Sequence, residues 1–485
     1  MIKKNNSLKI NFIMNIILTM SSFLFPLITF PYISRILLPL GTGKVSFATS
    51  IITYFSMFAQ LGIPTYGIRA CAKVRDDREK LSKVAQELLI INLVMSFFSY
   101  TILFLGILIV PKLREEKNLY IVLSFTIALT AIGMEWLYKA LEQYTYITLR
   151  SIFFKFIALI AMFLLVHKRE DYVIYGGITI FAASASNILN FINVHKYIDL
   201  KFIGKYNFKQ HIKPIMVFFA MSCATTIYTN LDTVMLGFMR TNTDVGYYNA
   251  AVKIKVILVS IVTSLGTVLL PRASYYIEQD EFDQFRRITR KALNFVILIA
   301  TPLMLYFIYF AKEGIYFLSG RAYEGSIVPM QLIMPTLLFI GITNILGIQI
   351  LVPMGEEKIV LYSEIVGAVV DVIINICLIP RYASAGAAIG TLIAEIAVFI
   401  VQFWSLKDEV LDSFKRISYS KIIIALLGGS IASVWVKKIG CNVFLTLVFS
   451  GILFFCIYGL TLIFLKEKMI IEIIDSMLNK LRKNK

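Results

Sequence analysis

Apolar stretches of about 18–25 residues recur along the whole of this 485-residue chain, each long enough to cross roughly 30 Å of hydrocarbon as a helix. No other feature restricts the fold so sharply. In lipid no water can pair with a bare N–H or C=O, so a spanning segment must be a helix or part of a closed barrel. Barrel strands would alternate polar and apolar residues over about ten positions, and that alternation is missing. The sequence therefore predicts an all-α polytopic membrane protein with fourteen transmembrane helices. They are expected at 11–33, 42–66, 84–111, 118–138, 148–166, 172–194, 214–238, 246–270, 292–318, 328–352, 359–380, 384–406, 422–436 and 442–465, the thirteenth being short. Composition agrees. With 58% hydrophobic and 16% charged residues and a mean hydropathy of +0.76, the chain has too few polar side chains to cover a soluble fold of this length.

The net charge of +18 raises the question of nucleic acid, which its placement answers. With a cytoplasmic N-terminus and each cation near a span end assigned to its nearer side, 32 of the 48 lysines and arginines, Arg150 among them, fall to cytoplasmic segments and 13 to outer ones. The other three, Lys155, Lys253 and Lys255, lie within spans. Such a bias over short loops sets orientation in a membrane, with both termini expected in the cytoplasm. Nucleic-acid binding would instead gather a basic face interleaved with exposed aromatics, and no such partner is expected. The opening MIKKNNSLKI and the apolar run behind it imitate a signal peptide. No small-residue cleavage site precedes FPLITFP, so the segment reads as a retained first span. Cys71, Cys223, Cys377, Cys441 and Cys456 are scattered without CxxC spacing, and the three histidines sit near span ends. Neither a disulfide frame nor a metal site is expected, and no cofactor beyond a coupling proton or sodium ion.

A faint internal repeat organises the chain. GTGKVSFATSII at 41–52 parallels DVGYYNAAVKIK at 244–255, with Gly43 over Gly246 and Ala48 over Ala251. LGIPTYGIRA at 61–70 parallels SLGTVLLPRA at 264–273. The period predicts two six-helix lobes related by a pseudo-two-fold, 1–205 (spans 1–6) and 206–406 (spans 7–12). Residues 407–485 supply two further helices and a basic cytoplasmic tail. Repeats of this kind recur in proteins that hold a ligand between their halves.

Charge inside a membrane costs about 2.5–3.5 kcal/mol per residue on insertion scales, so each intramembrane polar group requires a reason. Helical spacing from Asn249 runs through Lys253, Val256, Ser260, Thr263 and Thr267, a polar stripe suited to water or protein rather than lipid. Lys255 lies about 200° around from Lys253 and needs another partner or snorkels outward. Asp232 on the preceding span is expected at similar depth to Lys253. The two form either a structural ion pair or a cationic cavity wall tuned by the carboxylate. Glu364, Asp371 and Asn375 share one face of span 11, with Glu395 on span 12, which suits a cation or proton site or polar contacts between the two spans. Glu135 is expected to close span 4 and Lys155 to open span 5, with an aromatic anchor between them. Arg35, Lys44 and Arg381 stand at outer mouths, where snorkelling to headgroups is the simpler account. Pro26, Pro31, Pro64, Pro302 and Pro335 interrupt spans.

Four segments carry a likeness to a known family. LGTGKVSFATSIITYFSMFAQLGIPTYGIRACAKVRDDREKLS (40–82), EWLYKALEQYTYITLRSIFFK (135–155), NLDTVMLGFMRTNTDVGYYNAAVKI (230–254) and NICLIPRYASAGAAIGTLIAE (375–395) resemble the polysaccharide (Wzx-type) flippases of the multidrug/oligosaccharidyl-lipid/polysaccharide exporter superfamily. The resemblance runs from about residue 8 to 405, and 406–485 is similar only in hydropathy. After the Ile-Pro of span 11, where the family commonly has Tyr-Gly, this chain reads RYASAG. The resemblance implies a flippase of the bacterial plasma membrane. Its expected cargo is an undecaprenyl-diphosphate-linked oligosaccharide repeat unit, moved from inner to outer leaflet by alternating access for capsule or another surface polysaccharide. Lys253, Lys255, Arg35 and Lys44 are then the expected diphosphate contacts. Asp232, Asn249, Ser260, Lys155 and Glu135 are expected as polar cavity residues, and Asp371, Glu364, Asn375 and Glu395 as the ion-coupling set. Expected partners are the lipid-linked oligosaccharide, membrane lipids, and a polysaccharide polymerase with other export components. The alternatives within the superfamily are a peptidoglycan lipid II flippase and a multidrug cation antiporter, the latter disfavoured because lysines repel a cation. An enzyme, such as a membrane polysaccharide polymerase, would need a long outer loop or cytoplasmic domain, a nucleophile–base pairing or a phosphate-cradling glycine loop. None is visible, so a transporter is expected.

Overall fold

A computed structural model describes residues 8–264, 266–472 and 475, and every regular element among the described residues is helical. Lys3, Lys4, Lys480, Arg482, Lys483 and Lys485, part of the expected terminal charge, lie outside the described residues, as does the side chain of Thr267. Among the described residues ten helices are long and apolar enough to cross a membrane: Ile10–Ala72, Arg78–Ile109, Tyr144–Leu165, Arg169–Lys196, Lys209–Met239, Asn242–Thr263, Phe282–Tyr309, Glu357–Ser405, Tyr419–Ile439 and Val443–Phe464. Arg321–Ile333 and Thr336–Leu351, bent by 46° at a break that holds Pro335, make an eleventh if taken as one span. Lys117–Gly133 is apolar but shorter.

Two of the long helices contain sharp breaks. Leu8–Gln60, at 53 residues, would measure about 80 Å if straight, far beyond a bilayer core of about 30 Å. It leaves helical geometry at Leu38 (φ 57°, ψ 178°), next to Pro39, whose ring bars the preceding residue from helical angles. Glu357–Ser405 breaks at Ala383 (φ 47°, ψ −125°), three residues after Pro380. Its two halves then fold back on each other. Gln402 Nε2 donates to Ser363 Oγ at 2.9 Å, and Gly390 lies so near Asn375 that a Cβ there would stand 2.2 Å from the amide oxygen. A straight helix would hold Asn375 and Gly390 about 22 Å apart.

One expected boundary shifts. The helix expected at 118–138 stops at Gly133, because Met134 turns left-handed (φ 42°) and Asn190 Nδ2 takes up the Gly133 carbonyl at 2.8 Å. Only glycine permits this approach, since a Cβ at Gly133 would sit 2.4 Å from Asn187 Cγ. Glu135 therefore opens a separate short helix, Glu135–Ala140, rather than closing a span.

The chain divides into two compact units, Met1–Gly246 and Tyr247–Lys485. In the first, Leu8–Gln60 packs on Arg78–Ile109, Lys117–Gly133, Tyr144–Leu165 and Lys209–Met239. One apolar cluster joins Ile33 and Leu37 to Ala158, Met162 and Val166. Another gathers Ile63, Leu81, Leu88, Trp136 and Leu137. Gly43 and Gly246, the paired glycines of the repeat, both serve close approach: a Cβ at Gly43 would meet the Asn242 carbonyl oxygen at 1.7 Å, and one at Gly246 the Pro39 carbonyl oxygen at 2.0 Å. In the second unit Leu293, Val296, Ile342, Leu346, Ile422 and Leu462 share a core. The surface is inverted relative to a water-soluble fold. Phe97, Phe98, Ile109, Ile431 and Phe464 are exposed, while Asn92, Asn190, Ser363, Asp371 and Asn375 are buried, as lipid surroundings demand.

Candidate functional site: a neutral chamber and the expected charged residues

The first unit carries an open cavity of about 480 Å³, within the range typical of small-molecule sites (about 300–1,000 Å³). Its wall carries hydroxyls from four helical segments: Thr49, Thr53 and Ser56; Thr126 and Thr130; Thr179; and Ser222 and Thr226, with Gln60 at one end. Ile52, Met57, Leu123 and Ile180 supply apolar patches, and no lining residue is charged. Helical spacing explains the clustering, since 49, 53, 56 and 60 recur at three- and four-residue steps on one face.

Several of these hydroxyls donate their proton to their own helix. Thr53 Oγ1 donates to the Thr49 carbonyl at 2.8 Å, Thr130 Oγ1 to the Thr126 carbonyl at 2.7 Å and Thr179 Oγ1 to the Gly176 carbonyl at 2.7 Å. Gln60 Nε2 donates to Ser56 Oγ at 2.9 Å. Thr126 Oγ1 is buried with no hydrogen-bond partner among the described residues. The wall thus offers uncharged acceptor lone pairs beside apolar surface, which suits hydroxyl-bearing rings and gives nothing to neutralise a phosphate. The sequence reading missed this chamber because serine and threonine in membrane helices carry no charge penalty to single them out.

Of the expected cationic residues, Lys44 stands against Glu116 at 2.5 Å, with its ammonium 4.5 Å from the centre of the Tyr172 ring. Tyr172 Oη donates to the same carboxylate at 2.7 Å. Arg35 is exposed and donates to the Pro31 carbonyl. Lys253 and Lys255 are both half-buried on Asn242–Thr263. Of the expected stripe, Asn249, Lys253, Ser260 and Thr263 are half-buried and Val256 is exposed, while Ala250, Ala251, Ile254, Leu258 and Val262 are buried. Ser260 Oγ donates to the Ile257 carbonyl at 2.6 Å. Asp232 is buried on Lys209–Met239.

Other expected residues lie in three separate polar groups. Lys155 Nζ donates to Ser21 Oγ and Ser22 Oγ, both at 2.9 Å. Glu135 binds Lys139 at 2.8 Å and Arg150 at 3.2 Å, and Arg150, itself buried, donates to Ser186 Oγ at 2.6 Å. Sequence reading had Arg150 as a loop cation and so missed this partner. In the second unit Asn375 Nδ2 donates to Asp371 Oδ1 at 3.1 Å, both buried beneath Gly390. Glu395 is buried on the returning half of that hairpin, and Glu364 is half-buried on the first. Among the described residues no cluster of three histidines, cysteines or carboxylates could hold a metal ion.

The sequence profile of the polysaccharide biosynthesis protein family matches residues 8–277, more than half of the chain. The chain belongs to that family. A second profile, MatE, matches residues 218–377. Together they place it among the polysaccharide (Wzx-type) flippases of the multidrug/oligosaccharidyl-lipid/polysaccharide exporter superfamily, as the four motifs imply. The "Putative O-antigen transporter" of Escherichia coli (strain K12) is 25% identical over 399 residues, covering 81% of this chain and 95% of its own. Its namesake in Shigella dysenteriae is 25% identical over 400 residues, covering 80% and 97%. In fold the chain is similar to "Lipid II flippase MurJ, inward closed conformation", with a TM-score of 0.70, 16% identity, and coverage of 93% and 98%. This family member is a multi-pass membrane protein and a transporter rather than an enzyme.

Proposed function

We propose that the protein flips an undecaprenyl-diphosphate-linked oligosaccharide repeat unit from the inner to the outer leaflet of a bacterial plasma membrane, by alternating access, for capsule or another surface polysaccharide. The observation that carries the proposal is the uncharged chamber of the first unit, whose wall sets hydroxyls among apolar side chains, the combination that sugar rings take. The cargo joins two chemistries that need different walls. Sugars take neutral hydrogen bonds and apolar contact, whereas the diphosphate must be desolvated against cations. Lys253, Lys255, Arg35 and Lys44 are the proposed cations; Lys253 leads because it lies on the polar stripe, and Lys44 ranks behind because Glu116 already answers its charge. The polyprenyl tail stays in lipid. Relatives named as transporters of O-antigen support the saccharide assignment.

The proposed topology is fourteen spans with both termini cytoplasmic. The breaks at Leu38 and Ala383 turn two of the ten long helices into pairs, the bent Arg321–Leu351 segment adds one, and Lys117–Gly133 adds another. Two six-helix lobes (1–205 and 206–406) and two added helices (407–485) remain the proposed plan. Asp371, Asn375, Glu364 and Glu395 are the proposed site for a coupling proton or sodium ion, with the buried Asp371–Asn375 pair at its centre. A polysaccharide polymerase and other export components are the proposed partners beyond lipid.

The test is export of the polymer in cells. Lys253→Ala is expected to abolish export while the protein remains in the membrane, and normal export would remove Lys253 from the site. Rescue of a strain lacking its peptidoglycan lipid II flippase would redirect the substrate assignment to lipid II.

A further inference from the structure

The second unit carries a separate cavity of about 260 Å³ where three membrane-crossing helices end. Its wall comes from the first turns of Phe282–Tyr309, the residues leading into Tyr419–Ile439 and the segment following Val443–Phe464. Five cations line it, Arg287, Arg290, Lys291, Arg416 and Lys468, against two carboxylates. Both carboxylates are already engaged. Glu467 is buried and accepts from Asn294 Nδ2 at 3.1 Å and from the Ile470 N–H at 2.9 Å, while Glu472 pairs with Lys291. Beyond the wall, Asp412 holds Arg290 and Arg416, each at 2.9 Å, and Glu409 holds Arg286 at 3.1 Å. That leaves Arg287 and Lys468 without an ion-pair partner among the described residues, and Arg290 Nε buried without an acceptor. A concave site with surplus positive charge and an unanswered buried donor is completed by an anion.

We infer that this cavity binds the phosphate of an acidic membrane lipid headgroup, with Arg287 and Lys468 supplying the charge and Arg290 the directed donor. A lipid is favoured over a soluble anion by the surroundings. Phe282, Tyr419 and Phe464 are exposed at the ends of the same three helices, so a headgroup seated in the cavity leaves its acyl chains beside apolar and aromatic side chains at interfacial depth. The site stands on helices other than the one bearing Lys253. It holds a resident lipid, not the transported one.

The experiment places the full chain in nanodiscs of phosphatidylcholine with or without phosphatidylglycerol and counts retained lipid by native mass spectrometry. The native protein is expected to retain phosphatidylglycerol over phosphatidylcholine. Arg287→Gln/Lys468→Gln is expected to lose about five-fold in that preference for each cation removed, the share of one basic residue near an anionic surface. Lys73→Gln/Lys358→Gln lowers the charge equally at exposed positions elsewhere and is expected to leave the preference intact. Equal loss in both variants, or no loss in the first, overturns the site. Should the double variant fail to fold, Lys468→Gln alone at its exposed position carries the same test, with about a five-fold loss expected. Inorganic phosphate added to phosphatidylcholine discs separates the sources of anion. An unchanged melting temperature supports the lipid headgroup; a rise that vanishes in Arg287→Gln/Lys468→Gln overturns it in favour of a soluble anion.

Discussion

Glu87 is fully buried, yet each of its oxygens is answered. Oε2 meets His211 Nε2 at 2.7 Å and Gln210 Nε2 at 3.0 Å, and Oε1 accepts from the Asn207 N–H at 2.6 Å. His211 Nδ1 in turn lies 2.8 Å from Tyr66 Oη. The chain of contacts ties Ile63–Ala72 and Arg78–Ile109 to the start of Lys209–Met239, so its loss would loosen three helices at once. Removing one partner strands the rest in a low-dielectric interior. Glu87→Ala is therefore expected to cost about 3–5 kcal/mol, seen as a lowered melting temperature and more aggregate in detergent. Spacing alone could not announce this network, because Glu87 and His211 lie 124 positions apart and neither breaks a hydropathy pattern near its helix end. The intramembrane lysines were conspicuous for the opposite reason: each interrupts an apolar run.

At the scale of elements, the returning hairpin of Glu357–Ser405 depends on a residue with no side chain. A methyl at Gly390 would stand 2.2 Å from Asn375 Oδ1 and 3.0 Å from Asp371 Oδ1, so it must push the pair apart. Gly390→Ala is expected to destabilise the protein by about 1–3 kcal/mol, read as a fall in melting temperature, and Gly390→Val by more. Asp371 and Asn375 were legible as one face of a helix, since i and i+4 positions always are. Gly390 as their neighbour was not, because that contact exists only once Ala383 reverses the chain. Proline marked the bend at Pro335, and the breaks at Leu38 and Ala383 fall between expected spans, beside Pro39 and shortly after Pro380; the positive φ itself falls on residues that do not favour it and so was not legible. The early stop at Gly133 was hidden in the same way, because Asn187 and Asn190, which hold it, come from another helix.

For the whole molecule, recurrent apolarity made an all-helical membrane protein legible, and the lysine and arginine bias predicts a topology. That topology is open to direct test. Reporters fused to either end are expected to resist protease added to intact cells, whereas a Lys438→Cys variant, exposed and assigned to the outer face, should be labelled by an impermeant thiol reagent. Labelling of Lys358→Cys from outside would invert the assignment. Charge is loud in such sequences and hydroxyls are quiet, which is why the cations were noticed first and the chamber of the first unit was not. The protons of Thr53, Thr130 and Thr179 go to their own helices, so at these three positions the largely apolar wall offers a guest only acceptors. Those positions welcome guests that bring hydrogen to share, such as free hydroxyl or amino groups, and no cation on the wall stands ready for the charge of a uronic acid or a sulfated ring. Exchanging a few threonines there for asparagine would add donors without altering the overall charge, a cheap way for related chains to drift from one glycan to another.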